Sequence, residues 1–450
     1  MSFADEIAAF RAAHPEIESV DAFITDLNGL ARGKRMPVAQ LDKLAKGGVK
    51  MPVSSVGLDV FGSDVAENAI AIERGDPDGA LVPVPGSLAP MLWAARPVAQ
   101  VACVMSETDG GPCAYDPRGV LARVAERAAG RGLTPVMALE LEFYLVDPER
   151  PEPPVNPSAG GRVPRTRDQI YEMGTIEAFD AVISDIQRAS QALGAPAETS
   201  ICEFGPGQFE MNLGHVADPL AAADHMVWMK RAIRGCARAH GMDATFMPKP
   251  YGDASGSGMH VHVSLLDGEG QNLFDGGAAG PNAAMRHGLA GLAATMAEAM
   301  LVFAPHANSY RRFMPGSYAP MVAAWGHDNR GTALRLPETR GPGARIEHRV
   351  AGSDANPYLL TAAVLAGVLT GLEAGAEPPA PVGTEAGHGD GFPLPLSWDE
   401  ALAAFAASDT MADWLGADFA RIFAGMKRQE RATLLARVPD TEYDAYLRVV

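Results

Sequence analysis

Lysine is scarce in this chain, with seven residues in 450 against 30 arginines. Coding bias accounts for most of that ratio. Basic side chains are outnumbered as a whole, 37 against 55 acidic ones, so the formal charge is 37 − 55 = −18. A surface that acidic argues against a nucleic-acid partner and tolerates cationic ligands. Cysteine is scarcer still. Cys103, Cys113, Cys202 and Cys236 show no Cys-x-x-Cys spacing, which excludes a paired-cysteine zinc site or a disulfide framework and suits a reducing compartment. Neither His-Glu-x-x-His nor a Gly-x-x-x-x-Gly-Lys-Ser/Thr loop occurs, so a single catalytic zinc and a P-loop are both excluded. No apolar run is long enough for a bilayer; LLTAAVLAGVLTGL predicts a buried helix. The opening MSFADEIAAFRAAHPE has no basic n-region or apolar h-region, so a cytoplasmic setting without membrane contact is expected.

What is present is a globular composition, 47% apolar with 48 glycines and 35 prolines, long enough for two domains. Residues 20–107 carry short apolar runs broken by Gly and Pro, which predict strands and turns with few helices. SETDGGPCAYDPRG (106–119) is polar and turn-rich, and places a boundary near residue 110. Helices are then expected after Asp116-Pro117, Asp218-Pro219 and Asn356-Pro357, where the first residue caps free N–H groups and proline suits the first turn. Ser397 and Glu400 make a capping box. Strand-like runs alternate with these helices: VMALELEFYLV, TSICEFGPGQFEMNL, MHVHVSLL and ARIEHRV. The stretch 147–167, rich in proline, reads as a surface loop.

The strand-like runs carry too many acids. Along VMALELEFYLV, Leu139, Leu141, Phe143 and Leu145 share one face while Glu140 and Glu142 share the other. Such a pair stands roughly 7 Å apart and repels unless a cation intervenes; a solvent-facing edge explains it as readily. Glu203 and Glu210 flank a Gly-Pro-Gly turn. In SGSGMHVHVSLL, His260, His262 and Ser264 share a face, though a lone His-x-His is more often a structural pair or a helix cap than a ligand set. RIEHR sets Arg345, Glu347 and Arg349 opposite Ile346 and His348. Together these runs supply five glutamates and a histidine, a donor set for hard divalent cations such as Mg2+ or Mn2+. Six ligands suffice for two ions side by side, an arrangement that serves phosphoryl transfer. Seven arginines and no lysine lie from Arg311 to Arg349, forks suited to phosphate and carboxylate.

The runs ELE (140–142), EFGPGQFE (203–210), GSGMHVH (256–262), NSYRR (308–312), NRGTALRLP (329–337) and RIEHR (345–349) occur in the order found in the glutamine synthetase family, which the chain resembles. The resemblance implies an α+β fold: a β-grasp-like N-terminal domain over 1–110 and a catalytic domain over 111–450 built on an antiparallel sheet flanked by helices. It implies an ADP-forming ligase that phosphorylates the γ-carboxylate of L-glutamate with ATP and passes the acyl group to an amine. By motif position, Glu142, Glu203 and Glu210 would hold one metal ion and Glu140, His260 and Glu347 another, with two or three ions in all. His262, Ser264, Arg330 and Arg335 would line the ATP site, with Glu198 near it. Gly256, Arg312 and Arg349 would hold glutamate, and Arg312 and Arg330 would be the catalytic pair. A homo-oligomer, a dodecamer of two stacked hexameric rings, is implied as well.

Two departures bear on the amine. Family members that use ammonia carry an Asp-Gly-Ser-Ser run where this chain reads Pro52-Val53-Ser54-Ser55, and a flap glutamate where it reads Tyr318. Both acids expected to handle ammonium are thus replaced. The stretch LDVFGSDVAENAIAIERGDPDGALVPVPGSL looks more like the branch that makes γ-glutamyl-polyamines, so putrescine or a related polyamine is the expected substrate. Tyr318 would face the alkyl chain, and acids such as Asp59, Asp64 and Glu67 would suit its cationic end. Ammonia and a small monoamine such as methylamine are the alternatives; a silent scaffold relative would be expected to have lost metal ligands. Ser255 and Pro342 replace an asparagine and a lysine of some members, and no adenylylation tyrosine is evident in GHGDGFPLPLS.

Overall fold

The computed structural model describes residues 2–149, 170–383 and 391–450. The proline-rich stretch therefore lies mostly outside the described residues, as does the GHGD part of the GHGDGFPLPLS run. Two sheets organise the chain. The first comprises β1 (Ser19–Thr25), β2 (Ala31–Pro37), β3 (Lys50–Pro52), β4 (Asp78–Pro83), β5 (Ala89–Pro90) and β6 (Val98–Met105), in the order β2-β1-β6-β4-β3 with β5 on β6. Its central pair, β1 and β6, runs parallel with Val20 opposite Ala99, and its other pairs are antiparallel. That pairing gives the β-grasp-like character.

The second sheet holds the acidic runs. It comprises β7 (Thr134–Val146), β8 (Ala197–Cys202), β9 (Gln208–Leu213), β10 (Asp243–Thr245) and β11 (Met259–Leu266). After β12 (Val322–Ala323), which pairs outside it with β16 (Phe392–Pro393), it continues with β13 (Trp325–His327), β14 (Leu334–Glu338) and β15 (Arg345–His348). The order is β13-β14-β15-β11-β7-β9-β8, with β10 also on β7. All its pairs are antiparallel except β13–β14, so the expected antiparallel sheet is in fact mixed. Along β7 and β11 the alternation holds: Leu139, Leu141, Phe143, Val261, Val263 and Leu265 are fully buried on the core face. Burial of that face is the main force fixing the register, since a one-residue slip would turn every carboxylate into the core.

The expected helix starts all form. Asp116 caps Pro117–Ala129, Asp218 caps Pro219–Ala239, and Asn356 caps Pro357–Ala374, each accepting from backbone N–H groups; Ser397 and Glu400 close their capping box. The helix Pro357–Ala374 has the length and composition of a membrane span, but 78% of it is buried inside the fold. It packs tightly on the helix Ala283–Thr295; a Cβ at Gly371 would sit 1.9 Å from the His287 carbonyl oxygen.

Candidate active site

Cross-strand register assembles the polar face. Glu140 lies opposite His260, Glu142 opposite Glu210, His262 opposite Glu347, and Glu347 opposite Arg335. Residues facing one another across a pair share a side of the sheet, so five strands deliver these groups to one surface. His260 Nδ1 is 3.4 Å from Glu140 Oε2, and His262 Nε2 is 2.9 Å from Glu140 Oε1. Glu142 Oε2 accepts from Gly258 N at 2.8 Å. Arg335 Nη1 donates to Glu347 Oε2 at 2.7 Å, and Arg349 pairs with the other oxygen of the same carboxylate.

Donor atoms of Glu140, Glu210 and His260 fall within 4.8 Å of one another, as do those of Glu140, His262 and Glu347. His262, expected at the nucleotide, thus stands in a metal-compatible cluster, with Arg345 Nε 3.1 Å from its other ring nitrogen. Among the described residues Glu142, Glu203 and Glu210 do not close into a comparable triad.

The electrostatics divide the carboxylates. Burial opposes ionisation of Glu140, but hydrogen bonds from His260 and His262 outweigh it and hold the group well below the usual range. Glu347 is held down to about 2 in the same way, against burial, by Arg349 and both histidines. Burial and Glu142 push Glu203 up to about 7; burial with Glu140, Glu142 and Glu203 also raises Glu210 well above the usual carboxylate range. Such crowding of carboxylates, all oxygen donors with an imidazole beside them, fits hard divalent cations.

Around this centre the other expected residues fall in distinct places. Arg312 and Arg349 are buried, 6% and 7% exposed. Arg312 Nη1 donates to Val350 O at 3.0 Å, and burial lowers its pKa. Gly256 must be glycine here: a Cβ would stand 2.8 Å from both Arg312 Cγ and Pro248 O. Ser264 is buried on the histidine face. Arg330 is exposed, its charge offsetting part of the rise at Glu203. Glu198 is exposed on the edge strand β8 and takes no part in either cluster.

Tyr318 is 64% exposed and stacks on Phe204, with ring centroids 6.2 Å apart and planes 16° apart. Phe204 follows Glu203 directly, so this aromatic pair borders the carboxylates. Sequence reasoning missed it; the only signal was a large apolar residue at the open end of a Gly-Pro-Gly turn. It also missed Tyr144, whose hydroxyl donates to Ser255 O at 2.7 Å, and Gln208, whose amide donates to Gly256 O at 3.0 Å. Both tie the glycine-serine loop to the acidic strands.

Of the acids suggested for a cationic end, Asp59 and Glu67 have other partners, while Asp64 is exposed and bonds through its backbone carbonyl. Asp59 is buried and accepts from Phe61 N, Ser63 N and Gln429 Nε2; the Asp64 carbonyl accepts from the same amide; Glu67 pairs with Arg428. Ser54 and Ser55 sit in a buried turn, bonded to Asp76 and to Pro52 O.

A mixed sheet that presents carboxylates and histidines on one face, with arginines along one side, defines the class. The chain belongs to the glutamine synthetase family, whose catalytic-domain profile matches residues 114–446, and it is an enzyme of the carbon–nitrogen ligase class. Within that family it is 39% identical to γ-glutamylputrescine synthetase of Escherichia coli K12 over 99% of this chain and 95% of that one. It is 32% identical to γ-glutamylethanolamide synthetase of Streptomyces coelicolor, over 97% and 94% of the two chains. The solved structure of ligand-free GmaS superposes with a TM-score of 0.83 at 30% identity, covering 98% of this chain and 99% of that one.

Proposed function

We propose that this enzyme joins the γ-carboxylate of L-glutamate to putrescine or a related polyamine, with ATP as co-substrate and γ-glutamyl phosphate as intermediate. The observation that carries the proposal is the shared register face of Glu140, Glu142, Glu210, His260 and Glu347. Glu142, Glu203 and Glu210 would hold one divalent cation and Glu140, His260 and Glu347 another, with His262 beside the second set. Bound Mg2+ or Mn2+ supplies charge neutralisation for the transferring phosphoryl group.

The chain's own side chains do the rest. Arg312 and Arg349 orient the glutamate carboxylates, with the Gly256 backbone close by because no Cβ intervenes. Arg330 and Arg335 offer donors to the phosphates at the arginine side of the sheet, while Ser264 and Glu198 serve the nucleotide. A carboxylate turned into an acyl phosphate makes amide formation downhill, provided water is excluded; the buried arginines and glycine loop close that side. Tyr318 and Phe204 present flat apolar surface and π-faces to the methylene chain and ammonium of a polyamine. The 39% identity to a putrescine-using relative, and an aromatic in place of the flap acid, support that amine over ammonia.

The assembly in the proposal is a homododecamer. Exposed apolar residues at the C-terminal end, including Leu435, Tyr446 and Leu447, support association. Twelve chains of 47.2 kDa give 12 × 47.2, about 570 kDa, by sedimentation; a monomer would refute the assembly. The substrate is tested by phosphate release from ATP and glutamate with ammonium, methylamine, putrescine and spermidine. Putrescine or spermidine should give the highest kcat/KM. A preference for ammonium ends the polyamine reading and leaves the ligase intact.

A further inference from the structure

Arg335 enters the proposed phosphate site already held on two sides. Nη1 donates to the buried Glu347 at 2.7 Å, while Nε and Nη2 both donate to one oxygen of Asp328, at 3.0 and 2.5 Å. Asp328 stands just beyond β13, in the turn that leads to β14. Three of the five N–H donors of the guanidinium are thus taken. Two remain, one on each terminal nitrogen, and among the described residues no other acceptor takes them.

Two features place Asp328 for this contact rather than for stability. Its backbone is left-handed, with φ 45°, which among the described non-glycine residues only Ala69, Asp76 and Tyr171 share. Such a conformation persists where surrounding bonds over-determine it. Here Asp328 N donates to Leu336 O at 3.1 Å, and Asn329 Oδ1 closes the turn by accepting from Gly331 N at 2.9 Å. The Asp328 side chain is 73% exposed against 13% for Arg335, and an ion pair so open to water adds little to folding. What the pair does fix is the rotation of the guanidinium. Glu347 is fully buried, and Arg349 holds its other oxygen. Left to Glu347 alone, Arg335 would turn a second N–H onto that carboxylate and withdraw a donor that is now free.

We infer that Asp328 is a positioning residue for ATP: it holds the Nε edge of Arg335 so that the two remaining N–H donors are kept for the phosphates. It touches no substrate itself. The inference rests on the proposed role of Arg335 as a phosphate donor. It also gives a reason for an acid beside an anionic substrate, where charge alone would repel. Orientation and repulsion push nucleotide affinity in opposite directions when Asp328 is removed, so the sign of the change separates them.

Calorimetric titration of the full-length enzyme with AMP-PNP and Mg2+ tests the assignment. Asp328→Gly removes the acceptor and adds no strain at a left-handed φ, so affinity should fall about fivefold. Asp328→Asn keeps an oxygen acceptor and tolerates the same backbone, so it should stay within about twofold of the wild type. In the Arg335→Gln background Asp328→Gly should change nothing further, because the group it positions is gone. In turnover, Asp328→Gly should raise KM for ATP and leave KM for glutamate and the denaturation midpoint unchanged; a merely structural loss would move all three. Tighter binding in Asp328→Gly means that the charge only repels phosphate, and overturns the assignment. Unchanged binding, an equal loss in the glycine and asparagine variants, or additive losses in the double variant overturn it too. If Arg335→Gln alone leaves AMP-PNP binding intact, the nucleotide role of Arg335 fails and this inference with it, a result distinct from a failure at Asp328 alone.

Discussion

Arg312 holds its position through a carbonyl, a glycine loop and near-complete burial, so its planar fork is fixed before any substrate arrives. Lysine keeps the charge but not the fork. Arg312→Lys should therefore raise KM for glutamate by about tenfold or more, since a charge-assisted hydrogen bond is worth about 1.5–3 kcal/mol; steady-state kinetics at varied glutamate would show it, and an unchanged KM would remove Arg312 from the carboxylate site. At Tyr318 the expected change is in preference. Tyr318→Glu should lower the ratio of kcat/KM for putrescine to that for ammonium, because it replaces a π-face with the acid that ammonia users carry. At this scale the sequence was informative wherever period two applied: Glu140, Glu142, His260, His262 and Glu347 share one face as their alternation requires. It was silent on Phe204, whose significance depends on Tyr318 arriving from a distant loop.

Element ends were legible because caps are local. Asp116, Asp218, Asn356 and Ser397 each bond to N–H groups within three residues. Strand order was not legible, since β7 takes partners from β9, β10 and β11 by register alone, and the parallel β13–β14 pair left no local trace. Asp116 also accepts from Met105 N, joining the first sheet to the helix it caps. Its full burial pushes the carboxyl up from 3.8 to about 6. A folded-state pKa above the unfolded one means the native state holds this proton more tightly. The stabilisation is complete below about pH 3.8 and is lost as pH rises through 6, by up to about 3 kcal/mol. Asp116→Asn removes that slope whatever constant cost the amide adds. Denaturant midpoints of the two proteins at pH 4.5 and 7 should therefore show the variant gaining on the wild type as pH rises; parallel behaviour would refute the assignment.

Across the whole molecule, the two sheets fall on either side of 106–116, and the family profile starts at 114, which supports the proposed division into 1–110 and 111–450. A buried network ties the two parts together. Lys427 Nζ donates to Asn28 Oδ1 at 2.6 Å and Glu430 Oε2 at 2.9 Å, and Glu430 Oε1 accepts from Asn28 Nδ2 and Val60 N. Both charged groups are fully buried. Lys427→Ala strands the carboxylate and should cost about 3–5 kcal/mol, with Lys427→Met/Glu430→Gln recovering much of it in chemical denaturation. None of this was readable from the sequence, where Lys427 and Glu430 look like an ordinary exposed helical pair. The catalytic reading rests on carboxylates from separate strands sharing divalent cations. Equilibrium titration of the wild type and of Glu210→Gln with Mn2+ measures that sharing. At least two ions per chain are expected in the wild type, with one lost or weakened tenfold or more in the variant; no bound Mn2+ in the wild type, or identical isotherms for the two, would contradict it.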